Sequence, residues 1–132
     1  MIVIDASAMI EALVGDAPPP ELLSLLGEEM LAAPHLLDVE ILSVMRSLER
    51  GRRIDADRAH DAGQTYFSLT IARYETAMLA KRIWELRHRC TAYDAGYLAL
   101  AELLEVPLVT ADEKLPAAGS TADIVLLDAL AT

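Results

Sequence analysis

The stretch Ile2-Val3-Ile4-Asp5-Ala6-Ser7-Ala8 decides how the rest of the chain is read. Three β-branched apolar residues make a short strand, Asp5 ends it, and Ser7 is a good N-cap for a helix over residues 8–14. Working outward, residues 16–20 are a turn-rich break, Pro20 and Glu21 open a second helix to about Gly27, and residues 30–33 read as a short buried strand ended by Pro34. Over residues 36–50, Leu37, Ile41, Val44, Met45 and Leu48 recur at helical spacing and Gly51 supplies a stop; this helix carries Glu40. Residues 55–66 read as a helix with sparse apolar positions, 67–71 as a strand, and 75–89 as an amphipathic helix with its cations toward the C-terminal end. Residues 93–105 are strongly helical, 106–109 form a strand, 112 to about 117 a helical turn, and 124–127 a last strand.

Short apolar strands alternating with helices imply a parallel sheet covered on both faces, because parallel neighbours need crossover connections. The expected fold is therefore a three-layer α/β/α sandwich around a short, mostly parallel sheet. In such sheets sites form outside the carboxyl ends of the strands, where the strand order reverses. Asp5 and Asp112 both stand where that rule points.

A chain of 132 residues and 14.3 kDa is the size of one domain, expected to span residues 1–132. Its hydrophobic content of 54% excludes intrinsic disorder. The lone Cys90 cannot form an internal disulfide, which points to a reducing compartment. No apolar run approaches the roughly 18 residues a membrane span needs, and no basic residue precedes the first apolar stretch as a signal peptide requires. A cytoplasmic protein without a membrane partner is expected.

The net charge of -10 argues against bulk attraction to nucleic acid, but its distribution is uneven. Residues 1–45 hold eight acids and no Lys or Arg; residues 46–89 hold ten Lys or Arg against six acids; residues 90–132 hold one Lys against seven acids. Folding that joins the two acidic ends would set a concentrated negative site beside a basic surface, a sensible arrangement for metal-dependent phosphate chemistry.

Four acids stand out: Asp5, Glu40, Asp94 and Asp112. Each has a local structural explanation. Asp5 fits a strand-to-helix turn, Asp94 lies three residues after Thr91 as in a capping box, Asp112 fits the start of a helical turn, and Glu40 fits a solvated helix face. Clustering would change the reading, because close carboxylates repel unless some are protonated or a divalent cation neutralises them. All-oxygen ligation suits Mg²⁺, with Mn²⁺ as substitute. His35, His60 and His88 are too separated to compete as a zinc set.

The opening stretch, the helical Glu40, the block Tyr93-Asp94-Ala95-Gly96-Tyr97-Leu98-Ala99-Leu100-Ala101 and the segment Leu108-Val109-Thr110-Ala111-Asp112 together resemble a PIN domain. More narrowly, they resemble the VapC toxins of prokaryotic toxin–antitoxin pairs, in order and over nearly the whole chain. The resemblance implies a Mg²⁺-dependent ribonuclease with Asp5, Glu40, Asp94 and Asp112 around the metal. Asp5 and Asp94 would be direct ligands, while Glu40 and Asp112 would act through water or a second ion and help orient or deprotonate the attacking water. Ser7 and Thr110 match the small hydroxyl residues that often flank such sites. Many relatives carry a basic residue directly after the fourth acid; here that position is Glu113, and Lys114 could take its role.

In such chemistry a cation lowers the pKa of water and offsets charge on the phosphoryl oxygens during in-line hydrolysis. Arg46, Arg50, Arg52, Arg53 and Arg58 form the densest run of cations for RNA contact, or else a solvated helix end that complements its dipole. The apolar residues of the first two helices, Met9, Ile10, Leu13, Leu22, Leu23, Leu25 and Leu26, offer surface for an antitoxin helix. The resemblance implies a VapB-like antitoxin and a homodimer. Two other readings compete. A receiver or haloacid-dehalogenase-like phosphoacceptor also places an Asp after its first strand, but the latter wants a second Asp where this chain has Ser7. A catalytically silent PIN-like scaffold is the other.

Overall fold

In the computed structural model, which describes residues 1–130 (the backbone alone at 117 and 118), the first strand β1 is Ile2–Ile4. Helices α1 (Ala6–Val14) and α2 (Pro20–Glu28) follow, then β2 (Leu31–Pro34) and the helices α3 (Leu36–Arg50) and α4 (Ala56–Ser68). Next come β3 (Ile71–Tyr74), a 3₁₀ turn (Thr76–Leu79), α5 (Ala80–Glu85) and α6 (Ala92–Leu104). The described chain closes with β4 (Leu108–Thr110), a 3₁₀ turn (Leu115–Ala118), β5 (Ile124–Leu126) and α7 (Leu127–Leu130).

The strands form one five-stranded sheet in the order β3-β2-β1-β4-β5, and every pairing is parallel. Val3 lies between Ala32 of β2 and Leu108 of β4, so β1 is central. From β1 the chain steps to β2 and β3 on one side, then returns to β4 and β5 on the other. The order therefore reverses between β1 and β4. Right-handed crossovers place the helices of the outward and return journeys on opposite faces, which gives the expected α/β/α layering. Accordingly α1, α3 and α4 pack together, while α6 packs on β1, β2 and β4 with α5 against it.

The central strand is wholly apolar and buried, with Val3 and Ile4 at zero exposure, as a strand covered on both faces must be. Helix α6 is buried all round from Ala95 to Ala101, between the sheet and α5, and its small residues let it lie close to the sheet. A Cβ on Gly96 would meet Pro34 of β2 and Ile83 of α5, both at 3.9 Å.

Several boundaries differ from the sequence expectation. Helix α1 starts at Ala6, capped by Asp5 rather than Ser7, because the Asp5 carboxylate accepts the Ala8 N–H at 3.0 Å. The strand expected over residues 67–71 is instead the end of α4, and β3 begins at Ile71. Arg73 disguised it: a charge inside a strand reads as a break, but on this edge strand the guanidinium is neutralised by Asp38 of α3 at 2.8 Å. The single helix expected over residues 75–89 is a 3₁₀ turn followed by the short α5. Leu127, expected to end the last strand, begins α7. Among the described residues no helix is long and apolar enough to cross a membrane.

Candidate active site

The carboxyl ends of β1 and β4 meet where the strand order reverses, and the candidate site is built on that seam. Asp5 leaves β1 with its N–H still bonded to the Val109 carbonyl at 3.2 Å, then caps α1. Its Oδ1 accepts the Ala8 N–H at 3.0 Å and the Ser7 hydroxyl at 2.7 Å, and its Oδ2 accepts the buried Thr110 hydroxyl. Ser7 Oγ in turn accepts the Ala111 N–H, and Thr110 Oγ1 accepts the Asp112 N–H, each at 2.9 Å. A hydroxyl has one proton, so Ser7 and Thr110 each spend theirs on Asp5 and their lone pairs on the backbone beyond β4. They stitch the exits of the two strands together. Three of the roughly four lone-pair directions of the Asp5 carboxylate are thereby used, which leaves one on Oδ2.

Asp112 accepts the Lys114 N–H at 2.9 Å through Oδ1, a local turn that fixes the carboxylate beside the seam. Asp94 lies in the first turn of α6, where Thr91 Oγ1 accepts its backbone N–H at 3.2 Å, the capping contact its spacing suggested. Thr91 also faces the Asp94 carboxylate, as the donor that opposes the rise in its pKa. Glu40, on the second turn of α3, is reached from α6 by Tyr97, whose hydroxyl donates to Oε1 at 2.7 Å.

These four acids feel one another. Burial raises the pKa of Asp5 above the ordinary carboxylate range, against the hydrogen bonds from Thr110, Ala8 and Ser7, and the charge of Asp112 adds to the rise. Glu40 is raised by burial, pulled back by Tyr97, and pushed up again by Asp5 and Asp94. Asp94 is raised by burial, then by Asp112 and Asp5, with Thr91 opposing. Folding thus brings together four anions whose successive separations along the chain are 35, 54 and 18 residues.

Among the described residues no three His, Cys, Asp or Glu side chains close into a ready ligand shell. The acids form an open, all-oxygen set. That donor chemistry fits Mg²⁺ or Mn²⁺, since Mg²⁺ keeps several waters and takes only one or two carboxylates directly. Acceptor capacity remains on the seam: Asp5 keeps one Oδ2 lone pair, Tyr97 occupies only Oε1 of Glu40, and the Lys114 N–H occupies only Oδ1 of Asp112.

The arginine run lies elsewhere. Arg46 and Arg50 follow Glu40 on α3 by about 9 and 15 Å along the helix axis, and Arg52 and Arg53 lie beyond its end. Arg53 and Arg58 line a hollow of about 450 Å³ with Ile10 and Val14 that contains none of the four acids. There the Arg58 guanidinium donates to the Val14 carbonyl at 3.2 Å. The cations that do accompany the acids are Arg89 and Lys114, which line a cleft of about 260 Å³ with Cys90, Thr91, Asp94, Asp112 and Leu115. Sequence reasoning missed Arg89 and the bonding role of Tyr97. Tyr97 was within reach, since it lies three residues after Asp94 on one helix face; Arg89 carried no such signal.

A doubly wound sheet with this acidic seam defines a PIN domain, and residues 2–120 match the PIN domain family. The chain belongs to that family, in its VapC branch. It is 44% identical over 119 residues to a VapC ribonuclease of Mycobacterium bovis, covering 90% of this chain and 91% of the relative. With ribonuclease VapC1 of Mycobacterium tuberculosis the identity is 40% over 118 residues, covering 88% and 89%. The solved structure of PAE2754 from Pyrobaculum aerophilum shares the fold with a TM-score of 0.73 at 24% identity, covering 98% of this chain and 85% of that one. VapC20 of Mycobacterium tuberculosis, titled a sarcin-ricin loop cleaving toxin, shares it with a TM-score of 0.67 at 21% identity, covering 92% and 97%.

Proposed function

We propose that this chain is a Mg²⁺-dependent endoribonuclease, the toxin of a VapBC-type pair, that hydrolyses RNA phosphodiester bonds at Asp5, Glu40, Asp94 and Asp112. The observation that carries the reading is the Asp5 carboxylate, buried at 6% exposure and gripped by Ser7, Ala8 and Thr110 while it faces other acids. A fold does not hold anions together against burial and mutual repulsion for packing alone. The names of the relatives at 40% and 44% identity support the ribonuclease activity.

Asp5 and Asp94 would hold the cation directly, and Asp112 and Glu40 would complete its surroundings through water. Bound there, a divalent cation supplies Lewis acidity to the phosphoryl oxygens and makes water a stronger nucleophile at neutral pH. The chain's own groups orient the reaction. Tyr97 occupies Glu40 Oε1 and leaves Oε2 to accept a proton from the attacking water as the new P–O bond forms and the ester P–O bond breaks, the leaving oxygen taking a proton from solvent. Ser7 and Thr110 keep Asp5 from rotating out of place. Mn²⁺ is expected to substitute for Mg²⁺.

A VapB-like antitoxin and a homodimer belong to the same proposal. The test is RNA cleavage by the purified protein with and without Mg²⁺, beside Asp5→Asn and Asp94→Asn. Cleavage that needs the cation and disappears in both variants is expected; undiminished cleavage in both rejects the site. Growth arrest on expression of the chain alone, relieved by its genomic neighbour, tests the toxin assignment, and light scattering at micromolar concentration tests the dimer.

A further inference from the structure

Most cations of this chain are spent or remote from the acidic seam. Arg73 pairs with Asp38 at 2.8 Å, Arg82 pairs with Glu102 at 2.7 Å and Glu85 at 3.1 Å, and Arg87 covers the Trp84 ring at 4.5 Å. Arg89 and Lys114 differ. Both line the cleft that holds Asp94 and Asp112, and among the described residues neither makes an ion pair.

We propose that this cleft seats an RNA phosphate next to the scissile one, gripped by the Arg89 guanidinium with Lys114 beside it. The inference rests on the ribonuclease reading and names how that site takes its substrate. The cleft is lined by Asp94 and Asp112 but by neither Asp5 nor Glu40, so it flanks the acidic seam instead of filling it. Arg89 shares the cleft with two carboxylates without closing on either, which leaves its donors for an incoming anion. A planar guanidinium matches phosphate with two parallel hydrogen bonds; an ammonium adds a point charge.

The backbone around Arg89 is built to aim it. Gly119 has φ +77°, in the left-handed region, and passes against the Arg89 side chain. A Cβ at that position would stand 2.5 Å from Arg89 Cδ and 3.0 Å from Nε, too close for both to stay. The next residues are pinned: Glu102 Oε1 accepts the Ser120 hydroxyl at 2.7 Å and the Thr121 N–H at 3.0 Å, while Arg82 holds the same carboxylate. At the other end, the Arg89 N–H donates to the Leu86 carbonyl at 2.9 Å as α5 finishes. The Arg89 side chain thus passes against the Gly119 backbone, beside a loop tied to α6 through Glu102.

The experiment measures binding of a short fluorescein-labelled single-stranded RNA to the full chain by anisotropy, in Ca²⁺ buffer, across a salt series, with Mg²⁺-dependent cleavage recorded separately. Arg89→Gln is expected to weaken binding about tenfold and to reduce the slope of log K against log salt by about 0.7, the signature of one lost phosphate contact on a single strand. Gly119→Ala keeps every charge but displaces the side chain, and is expected to weaken binding about threefold with the slope reduced in the same sense. Lys81→Gln, an exposed cation on the first turn of α5, is expected to change binding less than twofold. Wild-type binding and slope in Arg89→Gln, with cleavage intact, would overturn the phosphate seat and leave the nuclease reading standing. Equal losses in Arg89→Gln and Lys81→Gln would overturn it too, since diffuse charge then suffices. A wild-type chain that neither binds nor cleaves RNA would overturn both.

Discussion

Helix α6 carries two carboxylates, Asp94 in its first turn and Glu102 eight residues on, and the fold treats them in opposite ways. Asp94 is raised in pKa by burial and by its acidic neighbours Asp112 and Asp5, although it sits at the helix end that favours negative charge. Glu102 is held down to about 2 by hydrogen bonds from Arg82, Ser120 and the Thr121 N–H, which outweigh its burial. Asp38 resembles Glu102: burial alone would raise it, but Arg73 and Tyr66 hold it below the usual range. The lesson is one of division of labour. Where an acid supports the structure, the chain gives it a cation; where it serves the site, the chain gives it neutral donors and acidic neighbours, so that its charge is left for a cation to meet.

The largest effect that can break this comparison is the response to Asp94→Asn. Cleavage should fall at least about a hundredfold, as for a removed metal contact, while the melting temperature holds or rises because a repelled charge has gone. A clear fall in melting temperature would place Asp94 with the structural acids. Tyr97→Phe comes next. It should lower kcat about tenfold and cost about 1 kcal/mol of stability from the lost hydrogen bond. Because Tyr97 holds Glu40 down, its removal should also move the acid limb of the pH–rate profile upward; an unmoved limb would detach Glu40 from the titration.

Glu102→Gln should do the reverse of Asp94→Asn, lowering stability by about 1 kcal/mol, since Arg82 is partly exposed, and reducing cleavage far less. The smallest effect is the pH dependence of stability in metal-free buffer. Asp5, Glu40 and Asp94 have folded pKa values above their unfolded ones, so their contribution is fully present below the unfolded values near 3.8 and 4.5 and is lost as pH rises through the folded ones. Glu102 and Asp38 act oppositely: their contribution is present above the unfolded pKa and, for Glu102, is lost from 4.5 down to about 2. Thermal melts should therefore peak in mildly acidic buffer, and Asp5→Asn should flatten the limb above the peak.

Much of this was legible in the chain. The apolar triplet Ile2–Ile4 followed at once by Asp5 announced a strand feeding a helix, and the alternation downstream gave the parallel sheet. The acids stood out because Asp5 and Asp112 follow strands and Thr91 marks where α6 begins. What was misread has a common cause. The strand over Ile71–Tyr74 was missed because its Arg73 is neutralised by a residue 35 positions earlier, a compensation that no local pattern displays. The arginine run, singled out for its density in sequence, lines a separate hollow through Arg53 and Arg58, while Arg89, isolated in the pattern, stands in the cleft with Asp94 and Asp112.

The sequence by itself determined the alternation of strand and helix, the family, and which acids were candidates, because periodicity, capping and motif spacing are local properties. Only the tertiary structure decided that those acids share one seam, that Ser7 and Thr110 both spend their protons on Asp5, and which cations stand nearby. Desolvation and Coulomb repulsion act through space, and the distances that set them exist only once the sheet has closed in the order β3-β2-β1-β4-β5.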